Sequence, residues 1–156
     1  MKSKKIAKKS PVTKKKNSVS KTETKETVKR KNENESFSEI KDLFKQYEGV
    51  GKLYSIEKEQ STGYELYCDE KQILIRGKPV MFGGVYIRKG GIAVHLMPLY
   101  CNPKIRSNLP PMLEKCMTGK SCMTIKKYDS KLHKKVLKDT IKDCYSYYVS
   151  TYGMKK

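Results

Sequence analysis

The sequence predicts an α+β fold, because patterns typical of helices lie at both ends of its apolar-rich region and patterns typical of strands lie in the middle. Apolar side chains recur every three to four positions over residues 37–47 and 132–152. Between residues 51 and 100 the period shortens to two, with turn signals between the runs. We therefore expect an antiparallel sheet of about five strands flanked by an N-terminal helix, a short helix and a long C-terminal helix.

A change of composition near residue 36 divides the chain. The first 35 residues contain 13 Lys or Arg, four Glu and no aromatic residue, whereas all three Phe, all eleven Tyr and all five Cys come later. So few apolar groups cannot offset the entropy lost on ordering the segment. We predict a disordered lysine-rich tail over residues 1–35 and one α+β domain over residues 36–156.

The first helix is predicted to begin at Ser36. Ser36 and Glu39 have the spacing of a capping box, in which each side chain accepts a hydrogen bond from the backbone amide of the other residue. Gly49 is placed to end this helix in a left-handed conformation.

The strand predictions follow the alternating runs. The predicted strands are Gly63–Cys68, Gln72–Arg76, Val80–Ile87, Ile92–Leu99 and Ser121–Lys127. Within the third of them, Gly83 and Gly84 indicate a bulge or a place where another element packs close to the backbone.

Two further helices are predicted after the meander. Residues 109–117 form a short one, with proline in its first turn and Gly119 past its end. Asp129 is placed to cap a long helix that ends near Tyr152. Its apolar stripe is predicted to start at Leu132, and lysines occupy another stripe.

The charge of the chain is the main sequence signal for function. The formal net charge is +19, of which the tail carries +9 and residues 36–156 carry +10. Lysine supplies 31 of the 35 cations, and it holds phosphate as a point charge without the fork of arginine. We expect non-specific association with nucleic acid or another polyanion. The predicted contact residues are Lys14, Lys15, Lys16, Lys29, Arg30 and Lys31 in the tail, and Lys134, Lys135, Lys138 and Lys142 in the last helix.

Cysteine usage and hydropathy bear on location. Five cysteines are odd in number and match no paired metal spacing, and no secretory signal precedes them, so we expect a reducing intracellular compartment. Lys15-Lys16 and Lys29-Arg30-Lys31 have the spacing of a bipartite nuclear import signal, which applies if the source cell has a nucleus. No run approaches the length of a membrane span, so no membrane partner is expected.

Three residues are candidates for a ligand pocket: His95, Cys101 and Cys122. His95 and Cys101 would approach each other if the chain turned after Pro98; the alternative is a strand histidine satisfied by a backbone or tyrosine partner. Lysines near Cys122 would lower its pKa and make it reactive, but a buried structural cysteine is the favoured interpretation. No Cys-His-acid trio can be assigned from the sequence, so we expect no enzyme.

Several motifs resemble one family when taken in order. They are Gly77-Lys78-Pro79-Val80-Met81-Phe82-Gly83-Gly84, Val94-His95-Leu96-Met97-Pro98-Leu99-Tyr100, Leu109-Pro110-Pro111-Met112-Leu113 and Gly119-Lys120-Ser121-Cys122. As a set they resemble the YdhG-like family of small α+β domains. One bacterial branch of that family is described as a frataxin-like iron chaperone.

The resemblance implies the α+β fold and adds alternatives for function. An intracellular iron carrier is one alternative, with iron as the cofactor; otherwise no cofactor is expected. Iron needs oxygen ligands, and only 12 acidic residues are scattered among 22 cations over residues 36–156. A structural or packaging protein is the other alternative, and the sequence leaves the oligomeric state open.

Overall fold

The computed structural model describes residues 20–50, 53–57, 62–68, 74–75 and 78–152. Within these ranges the helices are α1 (Ser20–Lys45), α2 (Met97–Cys101), α3 (Pro103–Ser107), α4 (Pro111–Glu114) and α5 (Ser130–Tyr152). The strands are β1 (Leu53–Glu57), β2 (Gly63–Cys68), β3 (Leu74–Ile75), β4 (Lys78–Pro79), β5 (Met81–Arg88), β6 (Gly91–Leu96) and β7 (Cys122–Ile125). The predicted α+β class, with an antiparallel sheet between an N-terminal and a long C-terminal helix, is confirmed.

The main sheet has the order β1-β2-β5-β6-β7, and every pair of neighbours is antiparallel. Four of the predicted strands pair in it. The described part of the predicted strand Gln72–Arg76 does not, which corrects the membership of the expected five: Leu74–Ile75 pairs with Lys78–Pro79 in a separate ribbon. Pro79 lacks the amide hydrogen that a longer ladder would use. The edge strand β1 was not predicted.

The first helix begins well before the predicted start at Ser36, so that prediction is wrong. The Ser36 hydroxyl donates to the Asn32 carbonyl at 2.7 Å, which is a bond inside a helix and not a cap. Residues 20–35 contain neither Gly nor Pro, and a Lys29–Glu33 ion pair at 3.8 Å supports this part of the helix. Once the packed half from Phe37 has formed, each added turn costs little because the nucleus already exists. Residues 1–19 of the predicted tail lie outside the described residues.

The end of the first helix agrees with the sequence. The helical ladder stops at Lys45, and Gly49 follows with φ of +73°, the left-handed conformation that its position predicts.

Helices α1 and α5 pack on one face of the main sheet, called here the helix face. Phe82 is fully buried there, with its ring 6.5 Å from that of Phe44 in α1 and 5.3 Å from that of Tyr148 in α5. Leu66 of β2 pairs with Gly83 and the next residue, Tyr67, pairs with Met81, so Phe82 is left without a partner in β2. This bulge places the Phe82 side chain on the helix face.

Prolines shape the segment after β6. The predicted strand Ile92–Leu99 ends at Leu96, because Pro98 lies in the first turn of α2, where its missing amide is harmless. The Asn102 side chain then caps α3 by accepting from the amides of Lys104 and Ile105.

The long helix α5 begins as predicted. Asp129 Oδ1 accepts from the amides of Lys131 at 2.9 Å and Leu132 at 3.3 Å. Leu132 itself is 55% exposed, which corrects its predicted place in the buried stripe, since the helical turn of about 100° per residue places it on the opposite side from the buried residues. The buried stripe runs instead through Leu137, Ile141 and Tyr148.

Candidate functional site

A row of polar side chains crosses the other face of the main sheet, called here the second face. The pairing places Glu65 beside Gly84, Gly84 beside His95, and His95 beside Cys122, so the row spans four neighbouring strands. Successive residues of a strand point to opposite faces. The row therefore alternates with Tyr64, Val85, Val94 and Met123, whose side chains are buried.

His95 and Cys122 are in contact. His95 Nδ1 lies 2.9 Å from Cys122 Sγ, and both residues are half-buried. Of the three predicted pocket residues, the structure thus brings two together. Cys101 lies exposed on α2, where the chain turns into a helix.

Glu65 is the acidic member of the row and is only 5% exposed. Its carboxylate accepts two phenol hydrogen bonds, from Tyr67 to Oε2 and from Tyr86 to Oε1, each at 2.7 Å. A buried carboxylate is costly unless it is paired or hydrogen-bonded, and these donors meet that need. Sequence reasoning missed all three residues. Alternation alone would have placed Glu65 and Tyr67 on one face, but not next to His95.

The absence of a side chain at Gly84 leaves room for the contact between Tyr86 and Glu65. A Cβ atom on Gly84 would lie 2.6 Å from the Tyr64 carbonyl oxygen, 2.9 Å from Met81 Cε and 3.1 Å from the Tyr86 hydroxyl. The Tyr86 side chain therefore passes over β5 to reach Glu65 only because position 84 has no side chain. The same gap leaves no Cβ between Glu65 and His95.

Burial and charge set the protonation of the row. Burial lowers the pKa of His95, and the Glu65 carboxylate acts in the opposite direction. The imidazole is therefore held neutral by burial. Burial also raises the pKa of Tyr86 far above its usual value, and the hydrogen bond to Glu65 and the carboxylate charge add to this shift. Arg88 lies over the Tyr86 ring, with Cζ 5.1 Å from the ring centroid.

The remaining cysteines occupy different environments. Cys68 and Cys144 are buried, and burial followed by the Asp143 charge raises the pKa of Cys144 to about 12. Burial also raises the pKa of Cys116, whose thiol donates to the Met112 carbonyl at 3.4 Å. Among the residues that the structure describes, no three His, Cys, Asp or Glu side chains are grouped to hold a metal ion.

A second candidate site is the basic surface of α5. Lys131, Lys134, Lys135, Lys138 and Lys142 are all exposed and recur at spacings of three and four, which places them on one stripe of the helix. Within the described part of the chain none of the five forms an ion pair. Asp139 and Asp143 are also exposed and lie at one border of this lysine stripe.

The tail cations that the structure describes lie on α1. Lys29, Arg30 and Lys31 are exposed on this helix, and Lys29 pairs with Glu33. A cleft of about 370 Å³ separates that part of α1 from the end of β7, and it is lined by Lys29, Lys126 and Lys127 together with Glu33. Lys14, Lys15 and Lys16 lie outside the described residues.

A further cavity of about 460 Å³ lies beside Tyr100, which is 58% exposed. Lys120 Nζ is 5.5 Å from the centroid of the Tyr100 ring, and Arg106 lines the same cavity. An exposed aromatic ring between cations is compatible with a stacked base beside its phosphate.

Comparison with known proteins gives no further guide. No family model, no curated protein and no solved structure matches this chain. The resemblance to the YdhG-like family stays a prediction. In the described ranges, no helix is both long enough and apolar enough to cross a membrane.

Proposed function

We propose that this protein binds nucleic acid or a similar polyanion through charge. The observation that carries the proposal is the lysine stripe of α5, which is exposed along its length and forms no ion pair within the described residues. An ordered helix holds these charges in fixed positions, so several phosphates can be neutralised without first ordering the chain.

The chemistry of the surface favours binding without sequence preference. Lysine ammonium groups contact phosphate as point charges, and phosphate contacts fix position but do not read bases. Each neutralised phosphate releases condensed counterions, so affinity should fall steeply as salt is added. The acidic border at Asp139 and Asp143 would confine the polyanion to the lysine side of the helix.

Cations outside α5 should add less to polyanion binding where they already form an ion pair. Lys126 and Lys127 are exposed at the end of β7, and Lys29 faces them across the cleft. Lys29 is already paired with Glu33, so its contact with phosphate would replace an existing ion pair and gain less.

The test neutralises the stripe in the full chain. We expect the quadruple variant Lys134→Gln, Lys135→Gln, Lys138→Gln and Lys142→Gln to bind duplex DNA at least about tenfold more weakly at low salt. The plot of log affinity against log salt should also lose up to about 3.6 units of slope, because each of the four lost phosphate contacts removes about 0.9. Fluorescence anisotropy over a salt series measures both quantities.

A matched control removes the same charge elsewhere. Lys45, Lys89, Lys104 and Lys115 are exposed outside the lysine stripe, although Lys104 lines a cavity with Asp139 and Asp143, and their replacement by Gln also lowers the net charge by four. If α5 is the contact surface, this control should keep most of the slope. Equal losses in the two variants would show that net charge alone attracts the polyanion, and an unchanged slope in the α5 variant would overturn the proposal.

A further inference from the structure

We infer that Cys122 and His95 form a separate functional site, a thiol–disulfide exchange centre whose reactant is a low-molecular-weight disulfide. In this site Cys122 is the nucleophile and His95 is its base. The inference rests on the second face and not on the lysine stripe, so it stands or falls independently of polyanion binding.

The geometry is that of an activated nucleophile. The 2.9 Å distance between Cys122 Sγ and His95 Nδ1 is within hydrogen-bond reach, which is the first requirement for proton transfer between a nucleophile and its base. The contact is built into the sheet, because the two residues are directly paired across β6 and β7. Both residues remain half-buried, so the pair is partly open to solvent, which the reaction with a small disulfide requires.

The surroundings of His95 suit a base that starts neutral and becomes charged. Burial lowers the pKa of His95, so one ring nitrogen is unprotonated and can accept the thiol proton. Glu65 then favours the imidazolium that forms, because its nearby negative charge raises the same pKa. Tyr67 and Tyr86 hold the Glu65 carboxylate in place, which makes them positioning residues for this step.

The exchange conserves both protons and electrons. The Cys122 thiol gives its proton to His95 Nδ1, and the thiolate attacks one sulfur of the disulfide. A new S–S bond joins Cys122 to that sulfur as the original S–S bond breaks. The departing thiolate takes the proton from His95 and leaves as a thiol. Cys122 is oxidised, the departing sulfur is reduced, and the disulfide itself is the oxidant.

Cys101 serves as an internal control for the accessibility of a thiol. Cys101 is exposed on α2 and is more accessible than Cys122, so accessibility alone predicts that Cys101 reacts faster. A thiol activated by a neighbouring base would reverse that order, because the thiolate is the attacking species.

The experiment follows modification at each cysteine of the full-length reduced protein. Hydroxyethyl disulfide is the probe, because it is uncharged and is not drawn to the lysines. Peptide mass spectrometry over time gives a rate for each site. At pH 7 we expect Cys122 to react at least about tenfold faster than Cys101, and to keep its rate to lower pH.

Two variants assign the cause. His95→Asn keeps a polar group but cannot take up the proton, so the Cys122 rate should fall to that of Cys101 or below and its pH profile should move upward. Cys101→Ser should leave the Cys122 rate unchanged. Thermal unfolding checks that each variant is folded. If His95→Asn is not folded, the pH profiles of the Cys122 and Cys101 rates in the unaltered protein test whether Cys122 is activated. A Cys122 rate at or below that of Cys101 with the same pH profile would overturn the inference.

Discussion

Two adjacent glycines in β5 belong to the two faces of the sheet, and the faces differ in kind. A Cβ atom on Gly83 would meet the Phe44 ring at 2.9 Å and Leu96 Cδ2 at 3.1 Å, on the apolar helix face. A Cβ atom on Gly84 would meet the Tyr86 hydroxyl, above the row of Glu65 and His95. One glycine thus allows a helix to approach the sheet, and the next allows a polar network to cross a strand.

The difference shows what each face depends on. The helix face is stabilised by apolar burial, which is roughly proportional to area and tolerates changes that keep the volume. The second face depends on individual hydrogen bonds between strands that are distant in sequence. Loss of one partner leaves a buried polar group with fewer bonds, so its effects should be local and chemical.

Emptying the centre of the helix face should cost the most stability. Phe82 is fully buried against rings from both long helices, so Phe82→Ala should lower the free energy of unfolding by about 3–5 kcal/mol, measured by urea denaturation. Phe82→Leu, which keeps more of the volume, should cost less. If the faces are independent, the folded Phe82→Leu variant should keep the Cys122 reaction rate, and a large change in that rate would contradict the separation.

The variants Gly83→Ala and Gly84→Ala add the same methyl group to opposite faces of β5. The new Cβ would lie 2.7 Å from a carbonyl oxygen of His95 in the first and 2.6 Å from that of Tyr64 in the second, so each strand must shift at a cost of about 1–3 kcal/mol. Thermal unfolding should show similar losses. Gly84→Ala should also alter the Cys122 rate by displacing Tyr86 from Glu65, and this change should exceed that in Gly83→Ala, which meets His95 at its backbone carbonyl. A matching change in Gly83→Ala would show that general loosening affects the site.

The sequence predicts the helix face better than the second face, for a physical reason. The Asp129 cap, the conformation of Gly49 and most of the buried stripe of α5 are local patterns, and the structure confirms them. The start of α1 was missed because a helix already nucleated from Phe37 extends at little cost, and β1 was missed because its pairing with β2 prevailed over weak local signals.

The candidate site was predicted only in part. His95 and Cys122 were noted as separate residues, but their contact depends on the β6–β7 register, which periodicity does not fix. The contact between Glu65 and Tyr86 is still harder to predict from the sequence, since the two residues meet across Gly84 and lie 21 residues apart. The lysine stripe of α5, by contrast, follows directly from helical spacing and a cap.

The smallest effects are expected from the loss of a single phenol hydroxyl, in Tyr86 or in Tyr128. Tyr86 donates to Glu65 on the second face, and Tyr128 donates to Glu39 of α1 at 3.2 Å. Burial raises both pKa values, and the neighbouring carboxylates add to the shift, which brings the pKa of Tyr128 to about 12. The folded protein therefore holds these protons more tightly than the unfolded chain, whose tyrosines ionise near 10.

The sign of the pH dependence follows from that difference. The stability that these protons provide is fully present below pH 10 and is lost as the pH rises toward 12 and beyond. In a spectrophotometric titration, Tyr86→Phe and Tyr128→Phe should each remove one phenol from the last phase. At neutral pH Tyr128→Phe should cost only about 0.5–1.5 kcal/mol for the lost hydrogen bond, and Tyr86→Phe about 1.5–3 kcal/mol because its bond is to a buried charge. Tyr86→Phe alone should also slow Cys122, since Glu65 then loses a donor that positions it. An equal slowing in Tyr128→Phe would mean that the second face does not act as a separate chemical unit.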